Sequence, residues 1–395
     1  MTHATRRPRW SEIAFFIAAL LALVVATAVL ALFAILAVVS LTSGGTEEAQ
    51  FGLWSAAGTA TLVVVLLPGV FWSGRAVFGA EPAPARRPSA LWALAGLLYP
   101  PLLFAGWMAN ARGASPLVLG TLAQVGTGTL PVLALAWYVL RRGPALTPLR
   151  AWGHFTVGVS AMPFAAMILE GLALLPILVG LVIWMLTSPA AANLGSAVAP
   201  ADPEAIGLVV EELLRSPVAL AVVYGYVALA IPLIEEAVKT MAVWPFLRRG
   251  LAPPYAFLGG ALGGAGYALF EALFLTQPGE TWLATTIARV GASLLHIFTA
   301  AVTSVCLMEA VRRRRLLVFV AGYAATVSMH ALWNAAAVTV GIASVPLEGP
   351  APGWLSGLRG LAPALLAVLS MISITGLANA GRILRAAEAD EVRVP

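Results

Sequence analysis

Apolar residues gather into ten long runs, near 13–42, 51–72, 90–110, 116–140, 158–187, 217–247, 254–277, 282–311, 316–341 and 358–384. A helix rises about 1.5 Å per residue, so about 20 apolar residues cross a hydrocarbon layer about 30 Å thick. The pattern predicts an all-α fold, a polytopic transmembrane helical bundle of about ten spans. The first run follows Arg6, Arg7 and Arg9, as in a secretory signal. Its length is far beyond the roughly 7–15 residues of a signal's apolar region, so it is expected to stay as an anchor. No internal repeat of the kind that builds duplicated transporter halves is apparent. Two breaks stand out: 73–89, rich in Pro, Ala and Arg, reads as a flexible linker, and 188–216 is the longest break. Pro203, Glu204, Glu211 and Glu212 make the second a short amphipathic stretch expected to lie along the outer surface.

Composition agrees with the periodicity. Hydrophobic residues make up 60% of the 395 and charged residues 10%, against roughly 25% charged in soluble domains. The lipid bilayer is therefore the expected surrounding. A net charge of +5 and a pI near 9.8 would suit nucleic acid, but the arginines form short clusters at the ends of apolar runs. That placement orients spans and excludes a nucleic-acid partner. Arg6, Arg7 and Arg9, then Arg75, Arg86 and Arg87, Arg141, Arg142 and Arg150, Arg248 and Arg249, Arg312–Arg315, and Arg382 with Arg385 all fall on one side of a ten-span path. The other side holds Arg112, Arg215 and Arg359 with Glu47, Glu48, Glu280 and Glu348. Both termini are expected to be cytoplasmic, and the expected home is a bacterial plasma membrane. The single cysteine, Cys306, can form no internal disulfide.

Against this background Lys239 is exceptional. It is the only lysine among 23 basic Lys and Arg residues, and it lies inside an apolar run, four and three residues after Glu235 and Glu236. Each such residue at mid-membrane costs about 2.5–3.5 kcal/mol on insertion scales, so three together call for a function. On a helix all three share one stripe, where the ammonium can keep one glutamate ionised while the other is desolvated. Paired carboxylates of unequal acidity suit general acid–base work. The next run carries Tyr267 and Glu271 at i and i+4, after Gly259, Gly260, Gly263, Gly264 and Gly266, which read as close-packing residues. Glu271 has no basic partner on its own helix. The run after that carries Arg289 and His296, and the following one His330 and Asn334 at i and i+4. At about 1.5 Å per residue, Glu235, Glu236, Glu271, His296 and His330 are expected in one layer slightly outward of the midplane. Glu170 is a weaker candidate, and Glu309, one turn from Arg312–Arg315, is expected to pair with that cluster.

At these positions the chain resembles the PrsW family of intramembrane proteases, within the wider superfamily of CAAX-processing and bacteriocin-processing enzymes. The resemblance covers about 217–341. It rests on Glu-Glu-x-x-Lys (Glu235, Glu236, Lys239), aromatic-x-x-x-Glu (Tyr267, Glu271), a histidine on the next span (His296) and His-x-x-x-Asn (His330, Asn334). Tyr267 stands where Phe is more usual, and Ala272 where Asn often follows the glutamate.

The resemblance implies hydrolysis of peptide bonds in membrane-anchored protein substrates, regulatory proteins of the anti-sigma-factor type among them. Glu235, Glu236, Lys239, Glu271, His296, His330 and Asn334 would be catalytic. Two mechanisms fit the residues. In one, Glu235 or Glu236 activates water with help from Glu271, and His296, His330 and Asn334 bind the oxyanion. In the other, Glu236, Glu271, His296 and His330 supply ligands for Zn²⁺. Two further classes stay open, a non-catalytic scaffold of the same superfamily and a proton-coupled transporter. The expected organisation is a four-span region over 1–150, a fifth span and external segment over 151–216, a catalytic core over 217–341 and a final span and tail over 342–395.

Overall fold

In a computed structural model the described residues are 9–111, 117–187, 216–247, 251–276, 279, 281–344 and 353–393. They are helical almost throughout, and the one β-feature among them is an isolated bridge between Arg86 and Leu146. The helices are α1 (Trp10–Ser43), α2 (Thr46–Val77), α3 (Tyr99–Ala111), α4 (Leu117–Arg142), α5 (Pro148–Val159), α6 (Ala161–Thr187), α7 (Pro217–Val223), α8 (Ile231–Lys239), α9 (Pro253–Phe274), α10 (Trp282–Arg313), α11 (Leu316–Ser344) and α12 (Gly353–Arg393). A 3-10 helix, Ala90–Leu98, precedes α3, a π-helical segment, Tyr224–Ala230, joins α7 to α8, and a 3-10 run, Thr240–Phe246, follows α8.

Among the described residues nine helices are long and apolar enough to cross a membrane. They correspond to nine of the ten expected runs. The remaining one, 90–110, is divided between the 3-10 helix and α3, where Pro100 and Pro101 remove two amide donors near the join. The fifth begins earlier than the hydropathy suggests, because Thr147 caps α5 by accepting from the Arg150 amide and Pro148 stands in its first turn. The stretch with Pro203, Glu204, Glu211 and Glu212 lies outside the described residues.

The chain divides into two compact units. The first comprises Met1–Pro163, Lys239–Tyr323 and Ser370–Pro395. Its core is built around α9, where every residue from Ala256 to Leu269 is buried. Leu262, Ala265 and Leu269 of α9 pack with Leu62 and Leu66 of α2, Val132 and Val139 of α4, Phe155 of α5 and Ile297 and Ala301 of α10. The second unit comprises Phe164–Val238 and Ala324–Leu369. It holds most of α6, α7, the π-helical segment, α8 up to Val238, the C-terminal two-thirds of α11 and the first part of α12. An apolar cavity of about 740 Å³ in this unit is lined by Leu220, Tyr224, Ala336, Thr339, Leu361 and Leu365 among others. Such a lining suits an apolar chain and offers a polar ligand little beyond two hydroxyls.

Candidate active site

In the second unit the local sequence around Pro232 explains how the acidic pair is presented. Over Tyr224–Ala230 the backbone follows the wider π register, and the Ile231 amide accordingly donates to the Tyr226 carbonyl five residues back. The next carbonyl, Val227, would take its bond from residue 232, but Pro232 has no N–H. Asn334 of α11 supplies the missing donor, its Nδ2 standing 2.9 Å from Val227 O. Five residues further along α11, Thr339 Oγ1 lies 2.7 Å from Tyr224 Oη. These bonds pin α11 to the segment that leads directly into Glu235 and Glu236.

His330, one turn before Asn334, then faces both glutamates. Its Nδ1 is 3.0 Å from Glu236 Oε1 and its Nε2 is 3.8 Å from Glu235 Oε2. Glu236 is 0% exposed, His330 2% and Glu235 4%, so bulk water does not screen the group. Glu236, an acceptor, assigns the ring proton to Nδ1 and leaves the lone pair on Nε2. The Nε2–Glu235 separation is beyond hydrogen-bond reach. It is near the roughly 3.4 Å between two donor atoms on a tetrahedral zinc with bonds of about 2.0–2.1 Å. The side chains thus have the chemistry and spacing to hold part of a metal's coordination shell.

The first unit presents a second carboxylate–imidazole pair. Here α9 supplies Tyr267 and Glu271, α10 supplies Arg289 and His296, and Lys239 stands at the end of α8. Glu271 Oε2 lies 2.7 Å from His296 Nε2 and 3.0 Å from Arg289 Nη1. His296 Nδ1 lies 2.6 Å from Lys239 Nζ. Lys239 Nζ also sits 5.2 Å from the centre of the Tyr267 ring, within cation–π range. The carboxylate assigns the proton of this ring to Nε2, so Nδ1 carries the lone pair that the ammonium meets. Lys239 and His296 are 0% and 3% exposed.

The glycines of α9 make these contacts feasible. A Cβ at Gly264 would stand 2.5 Å from the His296 carbonyl oxygen, and one at Gly260 2.6 Å from Ser304 Oγ. Without side chains there, α9 lies close enough to α10 for Glu271 to reach His296. Gly259 instead makes room for the buried His154 ring, whose Nδ1 is 2.8 Å from Ala242 O.

The sequence-derived residues therefore fall into two sets. Glu235, Glu236, His330 and Asn334 come together in the second unit; Lys239, Tyr267, Glu271 and His296 come together in the first. Glu235, Glu236 and Lys239 remain on one helical turn of α8, across the boundary between the units. Asn334 is engaged with the backbone, not poised only for a reacting oxygen. Glu271 has a basic partner after all, on the neighbouring helix. Sequence reasoning noted Arg289 without giving it a role; the signal was its place seven residues before His296, two turns along the same face. Glu170 accepts the Tyr226 hydroxyl at its backbone carbonyl, 2.9 Å. Glu309 pairs with Arg313 at 2.7 Å.

The model of the PrsW family intramembrane metalloproteases matches residues 151–356, more than half of the chain and a wider stretch than the motifs mark out. No curated protein and no solved structure matches the chain. The match takes in every residue of both sets, and the chain belongs to the PrsW family of intramembrane metalloproteases.

Proposed function

We propose that the protein, set in a bacterial plasma membrane, hydrolyses peptide bonds of membrane-anchored protein substrates, regulatory proteins of the anti-sigma-factor type being the expected class. The observation that carries this reading is the buried group of Glu235, Glu236 and His330, because three ionisable side chains withdrawn from water in a membrane-spanning region serve chemistry more readily than architecture. We assign catalysis to 217–341 and read 1–150 as a four-span region whose α2 and α4 pack against α9 and α10 of that core.

In this reading Glu236 orients His330 through Nδ1–H, and Glu235, facing Nε2, takes the proton of the attacking water. Lys239, held by His296 and Tyr267, offers N–H donors to the negative charge that develops on the carbonyl oxygen and a proton to the departing amine. Glu271 fixes the tautomer of His296. Asn334 holds the backbone that carries the glutamates.

The donor chemistry fits a divalent metal. His330 Nε2 and Glu235 Oε2, both in the second unit, are donor atoms with the chemistry to hold it. Glu236 and Glu271, bonded to the opposite ring nitrogens, fit the part of outer carboxylates that orient ligating imidazoles better than that of ligands. A bound zinc ion would supply a water acidic enough to ionise near neutral pH. One observation favours the metal-independent glutamate reading instead: His296 Nδ1 is engaged by Lys239 at 2.6 Å.

The test is cleavage of single-span reporter proteins by the detergent-solubilised protein, with Glu236→Gln and His330→Ala beside it and each preparation assayed with and without chelator. Cleavage by the wild type and not by the variants is expected. Chelator sensitivity restored by zinc selects the metal reading, and insensitivity selects the glutamate one. Equal cleavage by all three proteins would remove the protease assignment from these residues.

A further inference from the structure

We propose that Arg289 is a positioning residue of this site, which holds Glu271 against His296 and thereby decides which nitrogen of His296 carries the ring proton, leaving a lone pair on the Nδ1 that faces Lys239; the proposal rests on the peptidase reading for its catalytic consequence alone. Arg289 and His296 are seven residues apart on α10, two turns or about 10.5 Å along one face. Both reach the same atom, Oε2 of Glu271, at 3.0 and 2.7 Å. The guanidinium is thus aimed at the outer side of the carboxylate oxygen that the imidazole contacts on its inner side. Exposure falls inward along the chain of contacts, from 25% for the Arg289 side chain to 13% for Glu271 and 3% for His296.

Arg289 differs from the other arginines in its place. It stands seven residues into α10, far from Arg312 and Arg313 at the other end of that helix. An arginine so placed must recover an insertion cost of about 2.5–3.5 kcal/mol, and the bond to Glu271 is its evident compensation. The consequence propagates inward. With Arg289 on Oε2 the carboxylate cannot swing away from His296, so it accepts Nε2–H and the ring keeps its lone pair on Nδ1. Lys239 Nζ, which carries only donors when charged, requires that lone pair. In the other tautomer an N–H would point at the ammonium, and Lys239 would lose its hold. Arg289 therefore acts through two intermediates on the residue assigned to the developing charge.

The experiment uses the full-length protein labelled with ¹⁵N-histidine and solubilised in detergent. The chain has only four histidines, and the His296 ring signals are identified by their loss in His296→Gln. The wild type is expected to show His296 protonated at Nε2. Arg289→Gln is expected to shift the ring to the Nδ1–H form or to exchange between the two. Its kcat on a single-span reporter should fall about 10–100-fold, the usual effect of removing an outer-shell partner, with KM within about twofold. Arg289→Lys, which keeps the charge but loses the planar fork, should lie between. His296 signals unchanged in Arg289→Gln, or wild-type kcat in that variant, would overturn the proposal. Should Arg289→Gln fail to fold, Arg289→Lys carries the same two readouts, and a fully wild-type ring and kcat there would overturn a role that depends on the fork. A ring shift in a protein whose wild type cleaves no reporter leaves Arg289 as the residue that positions Lys239 and His296 while removing the peptidase reading.

Discussion

Pro232 and Asn334 form a pair whose members explain each other. A proline in the span would leave Val227 O without a donor, and the Asn334 amide takes that place. Asn334→Leu is therefore expected to cost about 1–3 kcal/mol, the penalty of a half-buried carbonyl left unmatched. Pro232→Ala returns a backbone N–H, so in that background Asn334→Leu should cost less. Thermal unfolding of the two single variants and the double variant measures the coupling, and strict additivity would refute it. Loss of chemistry is expected elsewhere: Glu236→Gln and His330→Ala should each lower reporter cleavage by about 10²–10⁴-fold while altering unfolding temperature much less. At this scale the sequence was legible where spacing along one helix carries the geometry. Glu235, Glu236 and Lys239 lie within one turn whatever the tertiary fold. It was illegible where the partner comes from another helix. Lys239 and His296 are 57 residues apart, and Arg289 and Glu271 18; no local period encodes either contact. Asn334 stands one turn after His330 in the sequence, but its bond to a main-chain carbonyl depends on a π register that hydropathy does not report.

Among the elements, α9 best connects sequence with site. Its glycine run is visible as a run of small residues, and the inference of close packing follows from that alone. Which neighbour each glycine admits is decided by the fold: Gly264 meets the His296 carbonyl, and Gly259 meets the His154 ring. Gly264→Val should therefore push α10 away and separate Glu271 from His296. The expected outcome is a loss of about 1–3 kcal/mol of stability from overpacking, together with loss of reporter cleavage. Gly171→Val serves as the control, since a Cβ there meets nothing within 4 Å. Equal losses in the two variants would show that any branched residue in a span has this effect and that the α9–α10 approach has no special part. Element ends were read less well than element centres. The start of α5 is set by a Thr–Pro cap and not by hydropathy, and 90–110 looks like an unbroken span although two prolines divide it.

For the molecule as a whole, that divided segment decides the direction of everything after it, because a span more or less reverses which side each later arginine cluster faces. Contacts inside the first unit supply the missing constraint. At one end of α4, the Arg86 amide bonds Leu146 O at 3.0 Å, Arg87 Nε bonds Gly143 O at 3.2 Å and Trp137 Nε1 bonds Ser89 O at 2.7 Å. The loop that precedes Ala90 and the loop that follows α4 therefore lie together. At the other end, Asn110 Oδ1 accepts from the Gly279 amide at 3.0 Å, and Gln124 Oε1 from Trp282 Nε1 at 2.8 Å. A chain that leaves one end, reaches the other near Asn110 and returns through α4 has crossed twice. The 3-10 helix and α3 together rise about 37 Å, against about 39 Å for α4, so the broken segment has the reach of a span. With the nine apolar helices among the described residues, an even number of crossings is then expected, and with it one side for Arg75, Arg86, Arg87, Arg141, Arg142, Arg150 and Arg312–Arg315. Positive charge is retained in the cytoplasm, so that side is expected to be cytoplasmic, with both termini on it. Cys306 is the only cysteine, which makes the measurement direct: in a Cys306→Ala background, single cysteines at Ala83, Ala145 and Arg314 should resist a membrane-impermeant thiol reagent in intact cells and react once the membrane is opened, whereas one at Gly279 should react in both. Labelling of the Ala145 variant but not the Ala83 variant in intact cells would mean that 90–110 does not cross, and would turn the whole arginine pattern over from α4 onward.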